Sequence, residues 1–199
     1  MNFLAHIYLS GNSEELRIGN FIGDFVKGNN YNKYSTNIKK GIIYHREIDY
    51  FTDNHKIVKK SKQRLNSEYR KYSGIVIDIF YDHFLAKNWN SYSVIPLNKY
   101  SLHFYDQLKN NYSILPLKAK QILPSLINND WFNIYSNIEG VTRVLNGMSK
   151  RTSLPNKTEF AIKSLHKNYD LFENEFSSFF QDIINHFEKN INSLKKDCK

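Results

Sequence analysis

Residues 74–86, Gly-Ile-Val-Ile-Asp-Ile-Phe-Tyr-Asp-His-Phe-Leu-Ala, can occupy few places in any fold. Read as a helix, the run is apolar on nearly every side, which marks a central, buried element. Asp78 and Asp82 nevertheless stand four residues apart on one face, on the stripe of Ile75 and Leu85. Two ionised carboxylates placed there repel each other and lose hydration, a penalty of several kcal/mol per ion. The run holds no Lys or Arg to neutralise them. Compensation must come from a metal ion, an arginine on another helix or a shared proton. A divalent cation is the reading that the rest of the chain favours.

Around this run the sequence reads as helix throughout. Only 8 Gly and 4 Pro occur in 199 residues, a scarcity that disfavours a turn-rich sandwich or barrel. Apolar residues recur at helical spacing over about 2–9, 13–27, 35–52, 55–71, 74–89, 98–110, 117–128 and 137–149. Pro96, Pro116, Pro124 and Pro155 fall at or near helix ends. A final aromatic stripe, from Leu165 and Tyr169 through Phe172, Phe176, Phe179 and Phe180 to Phe187, predicts a long amphipathic helix packed on the core. Period-two alternation is not sustained anywhere. The expectation is a single all-α helical assembly spanning 1–199. The lone Cys198 permits no internal disulfide and, in a lysine-rich tail, makes a poor nucleophile.

Three further apolar segments carry inward polar groups. His45 and Asp49 are spaced four apart, in register with Ile38 and Ile42; Asn20 and Asp24 repeat that spacing among Phe and Ile; His6 interrupts the opening helix. Mixed His and Asp ligands suit Mn²⁺, Fe²⁺ or Zn²⁺. Singly, each has an ordinary explanation. His6 fits a satisfied core histidine, Asp24 a helix cap or lysine partner, His45 with Asp49 an internal pair, and Asp53 a cap on the following basic helix. Their convergence with Asp78 and Asp82 is what points to a cation. His55, His103, His166 and His186 have no carboxylate at useful spacing, and no Gly-x-Ser-x-Gly elbow, P-loop or dinucleotide fingerprint occurs.

The balance of 28 basic to 19 acidic residues gives a net charge of +9, a field that attracts polyanions. Lys56, Lys59, Lys60, Lys62, Arg64, Arg70 and Lys71 concentrate it, as a solvated helix face or a site for an acidic partner. No RNA-binding signature accompanies them, so nucleic acid is not the expected ligand. No apolar run approaches the ~18–20 residues that span a bilayer. The first residues lack the basic start of a signal peptide. A soluble, cytoplasmic protein without membrane insertion is expected, and nothing in the sequence fixes an oligomeric state.

The blocks Met-Asn-Phe-Leu-Ala-His (1–6), Gly-Asn-Phe-Ile-Gly-Asp-Phe (19–25), His-Arg-Glu-Ile-Asp (45–49) and Phe-Thr-Asp-Asn (51–54) resemble the bacterial acyl carrier protein phosphodiesterase family. So do Asp78, Tyr-Asp-His-Phe-Leu (81–85), Val-Leu-Asn-Gly-Met (144–148) and Arg151, all in family order. The resemblance implies an all-α fold related to the HD phosphohydrolases and a Mn²⁺-dependent activity. The implied reaction is hydrolysis of the phosphodiester that joins 4′-phosphopantetheine to a serine of holo-acyl carrier protein. The chain contains no His-Asp doublet and carries the reverse, Asp82-His83, which implies a rearranged ligand set. On this reading Asp24, His45, Asp78 and Asp82 hold one or two divalent ions, with His6 and Asp49 as further ligands or catalytic groups. His83 orients a ligand or protonates the departing serine oxygen. Arg46 and Arg151 clamp the phosphate. The acidic carrier protein docks on the basic segment through Lys59, Lys60 and Arg64. Three other readings stay open: an HD-like phosphohydrolase acting on a nucleotide or other small phosphoester, a non-enzymatic basic helical module, and an inactive member of the family.

Overall fold

A computed structural model describes residues 2–196, with side chains described through Phe187; Cys198 lies outside the described residues. Among the described residues there are helices and no strand, as the sequence predicts. In chain order they are α1 (Phe3–Leu9), α2 (Glu14–Ile22), α3 (Thr36–Asn54), α4 (Lys56–Gln63), α5 (Asn66–Tyr69) and α6 (Ser73–Lys87). There follow α7 (Leu97–Asn110), α8 (Leu117–Asn128), α9 (Trp131–Ile134), α10 (Ile138–Arg151), α11 (Thr158–Lys167) and α12 (Tyr169–Lys196). Short 3₁₀ turns join several of them, one at Gly23–Phe25.

Helix α6 is the central element that its composition demands. Val76, Ile77, Ile79, Phe80, Tyr81, Phe84 and Leu85 are all fully buried. α1, α4, α10 and α12 pack around it. The aromatic face of α12 closes one side, with Phe172 against Phe80 at 5.5 Å and Phe176 against Tyr81 at 5.6 Å between ring centroids. Each such buried ring contributes about 1.5–3 kcal/mol, so this face anchors the C-terminal helix firmly.

Several boundaries differ from the sequence reading; the helix expected over 13–27 ends at Ile22 and passes into the 3₁₀ turn Gly23–Phe25. The stripe over 165–187 breaks at Asn168, whose backbone N–H and side-chain amide both bond the Ser164 carbonyl and end α11. The segment 55–71 divides into α4, α5 and a 3₁₀ turn: α4 ends at Gln63, and Arg70, with a positive φ of 45°, ends α5. Pro124 lies inside α8 and not at its end.

The pairing of α2 with α3 sets the site. Gly19 and Gly41 face each other across it: a methyl on Gly19 would overlap the Ile38 carbonyl, and one on Gly41 would stand 2.5 Å from the Leu16 carbonyl oxygen. Without side chains at these two positions the backbones approach closely, which brings Asn20 of α2 within reach of α3.

Candidate metal centre

His6 of α1 and His45 of α3 stack ring on ring, with centroids 4.1 Å apart and planes inclined by 20°. Both are buried. The ring of His45 fits because residue 23 is glycine; a methyl there would overlap it. Between the two imidazoles and α2 lies Asn20, fully buried. Its carboxamide oxygen is 2.8 Å from Nδ1 of His6 and 3.2 Å from Nδ1 of His45. Its Nδ2 donates to the His6 carbonyl and to Ser10 Oγ, each at 2.8 Å, and Ser10 Oγ in turn donates to that carbonyl. The His6 carbonyl can only accept, so the amide cannot be flipped. Asn20 therefore presents its oxygen to both rings, and each ring must carry its proton on Nδ1.

The consequence falls on the other nitrogens. Nε2 of His6 lies 3.2 Å from Oδ1 of Asp49, and Nε2 of His45 lies 3.2 Å from both Oδ1 of Asp24 and Oδ2 of Asp49. A neutral imidazole protonated at Nδ1 would set a bare lone pair against a carboxylate. A second proton on each would make two imidazoliums stacked in contact. A cation shared among Nε2 atoms and carboxylates relieves both conflicts, while Asn20 provides the outer hydrogen bond that orients ligating histidines. The donor set of His6, His45 and Asp49, with ligand atoms all within 4.8 Å of one another, fits a divalent ion.

The surrounding groups shift the two rings in opposite directions. Burial lowers the His6 pKa. Burial also acts to lower that of His45, but hydrogen bonds to Asp24 and Asp49 outweigh it and raise the pKa to about 9. For Asp24 and Asp49 burial works upward, and the histidine partners hold both carboxyls below the usual range.

The carboxylates open onto a cleft. The Asp24 and Asp49 side chains are 61% and 41% exposed, against 2% for His6 and 4% for His45. Together with Asn2, Asp53, Ile75, Asp78 and Met148 they line a cavity of about 330 Å³. Asp53, read from sequence as a helix cap, instead stands on this wall and accepts from Lys62 Nζ at 2.6 Å.

The two aspartates of α6 part company. Asp78 lines the cleft, and burial raises its carboxyl pKa. Asp82 is fully buried one turn further on, and its Oδ2 accepts the Leu4 N–H at 3.0 Å. Burial pushes its pKa up to about 7. Asp82 thus binds the start of α1 instead of joining the histidine cluster, a correction to the shared-site expectation. The spacing placed both on one face; it could not show that the first turn of α1 rests on one of them.

Other expected site residues also find structural partners. His83 Nδ1 lies 2.7 Å from the Tyr135 carbonyl and Nε2 lies 2.8 Å from the Tyr169 hydroxyl. The carbonyl takes the ring's N–H, Nε2 accepts from tyrosine, and burial lowers the pKa. No proton remains for a leaving group. Arg46 Nη2 donates to the Val26 and Gly28 carbonyls at 2.8 Å each, pinning a loop. Arg64 forms a two-pronged pair with Glu175, both bonds at 2.7 Å, and turns away from solvent. Lys59 and Lys60 are exposed. Arg151 lies over the Trp131 ring at 5.8 Å, on a second groove that adjoins the cleft.

A family model described as acyl carrier protein phosphodiesterase matches residues 1–183. Curated relatives named acyl carrier protein phosphodiesterase include one from Enterobacter sp. (strain 638), 32% identical over 92% of this chain and 96% of its own. One from Photorhabdus laumondii is 30% identical over 90% and 91%, and one from Yersinia pestis 29% over 92% and 96%. No solved structure matches.

Proposed function

From the premise that this chain belongs to the acyl carrier protein phosphodiesterase family, we propose that it hydrolyses the phosphodiester between 4′-phosphopantetheine and the serine of holo-acyl carrier protein. The observation that carries the reading is the pair of imidazoles locked on Asn20, with both Nε2 atoms aimed at carboxylates on a cleft. His6, His45, Asp24 and Asp49 would hold a divalent cation, Mn²⁺ in our reading. When bound, such an ion neutralises phosphoryl charge and lowers the pKa of nearby water towards neutrality.

The chain's own groups do the rest. Asp78, on the cleft wall, takes the proton that the attacking water releases; burial makes it a stronger base than an exposed carboxylate. Arg151 holds a phosphate oxygen from the edge of the cleft. The water oxygen bonds to phosphorus, the bond from phosphorus to the serine oxygen breaks, and that oxygen takes up the proton that Asp78 accepted, passed on through water in the cleft, which returns Asp78 to its carboxylate form. The products are apo-carrier protein and 4′-phosphopantetheine.

A cavity of about 610 Å³ shares Asp53, Ile75 and Asp78 with the cleft and is bordered by Lys59, Lys62, Arg70 and Lys71. Acyl carrier proteins are acidic, and this basic groove, with Lys60 beside it, is their docking face. Arg64 belongs to the ion pair beneath it.

Intact-mass analysis of holo-carrier protein incubated with this protein and Mn²⁺ tests the reaction. Loss of one phosphopantetheine moiety, blocked by chelator, with free nucleotides untouched, is expected. Unchanged carrier mass, or nucleotide cleavage in its place, overturns the reading.

A further inference from the structure

On its other side the carboxylate cleft opens into a larger groove of about 680 Å³, sharing Asn2, Asp24 and Met148 with it. Phe25, Ile122, Trp131, Val144 and Met148 give this groove apolar walls. Gln121 and Ser125 add amide and hydroxyl groups, and Lys118, Arg143 and Arg151 add positive charge. The proposed metal centre thus lies between two unlike grooves, one basic and one apolar.

We infer that the apolar groove is the binding site for the pantetheine arm of the substrate, an inference that rests on the proposed reaction. A pantetheine arm alternates short alkyl segments and a gem-dimethyl group with amides and a hydroxyl. Its needs are apolar walls with scattered hydrogen-bonding groups, and a cationic edge where the phosphate emerges. The apolar groove supplies these. The basic groove does not, since charged side chains dominate it. Occupation of the apolar groove fixes the direction of the substrate. The carrier serine points to the basic groove, the phosphate crosses the carboxylate cleft, and the thiol end runs along Trp131. Val144 and Ile122 then govern how well the arm seats, as specificity-determining positions remote from the reacting bond.

Trp131 gives a readout independent of turnover. The chain has 2 tryptophans, and the other, Trp89, is 2% exposed, with its Nε1 donating to the Ile95 carbonyl outside the groove. Titration with free pantetheine, without metal, is expected to change the tryptophan emission saturably in the parent and not in Trp131→Phe. Val144→Phe, which fills the groove, is expected to weaken that binding at least tenfold and to raise KM for holo-carrier protein. Its Mn²⁺ affinity and thermal unfolding should match the parent. A flat titration of the parent overturns the inference, as does a Val144→Phe variant with unchanged pantetheine affinity and KM. A parent that binds pantetheine but leaves holo-carrier intact overturns the proposed reaction and leaves the groove assignment standing.

Discussion

The carboxamide oxygen of Asn20 stands 2.8 Å from Nδ1 of His6, and the same oxygen serves His45. One neutral, buried side chain therefore sets the tautomers of both rings. Asn20→Ala should lower Mn²⁺ affinity about 10–100-fold, the usual effect of removing a partner that orients ligating histidines. Calorimetric titration measures it, with circular dichroism confirming that the fold is kept. Unchanged affinity would mean that the rings are oriented by something other than Asn20.

Asp82 and Asp49 should separate cleanly. Asp82→Ala leaves the Leu4 N–H without its buried acceptor and should cost about 1–3 kcal/mol in thermal or urea unfolding. Its Mn²⁺ affinity should stay close to that of the parent. Asp49→Ala removes the carboxylate facing both imidazoles and should abolish high-affinity binding.

The Arg64–Glu175 pair predicts a pH dependence of stability. The Glu175 side chain is 8% exposed; burial acts to raise its pKa, but Arg64 and Ser61 outweigh that and hold it below its ordinary 4.5. A carboxyl lowered in the folded state adds stability above the unfolded pKa, and that stability is lost as pH falls through the folded value. Glu175→Ala should therefore cost about 3–5 kcal/mol at neutral pH, and the gap to the parent should narrow below pH 4.5. Urea denaturation over that range reads it; a gap independent of pH would contradict the ion-pair account.

The basic groove should act mainly on encounter. Lys59→Glu combined with Lys71→Glu is expected to raise KM for holo-carrier protein about tenfold at low salt with kcat little changed. The difference should shrink as the Debye length falls to about 8 Å at 0.15 M salt. Steady-state kinetics across salt concentrations would show it, and a salt-independent difference would place the carrier protein elsewhere.

Much of the architecture was legible because helical periodicity reports which face is buried. It placed α6 at the centre and marked His6, Asp24, His45, Asp49, Asp78 and Asp82 as inward polar groups, of which Asp24, Asp49 and Asp78 line the cleft. Periodicity does not report what a buried group meets. Asp78 and Asp82 share a stripe, yet one faces the cleft and the other receives the first turn of α1. His83 looked available because its partners, the Tyr135 carbonyl and the Tyr169 hydroxyl, lie 52 and 86 residues away in sequence. Arg46 and Arg64 are absorbed by a loop and by Glu175 for the same reason. Asn20 stood out only as an inward polar group and was given no individual role, since a neutral amide among apolar neighbours carries no charge conflict to betray it. Its spacing of four from Asp24 was the available signal, and it gained meaning only when Gly19 and Gly41 were seen to bring α2 against α3.

The proposed metal centre requires that the paired imidazoles and their carboxylates hold a divalent cation. Electron paramagnetic resonance of free Mn²⁺, titrated into the metal-stripped parent and into a His6→Ala, Asp49→Ala double variant, measures this directly. Stoichiometric loss of the free-ion signal is expected with the parent and none with the variant. Equal binding by both proteins, or none by either, would contradict it.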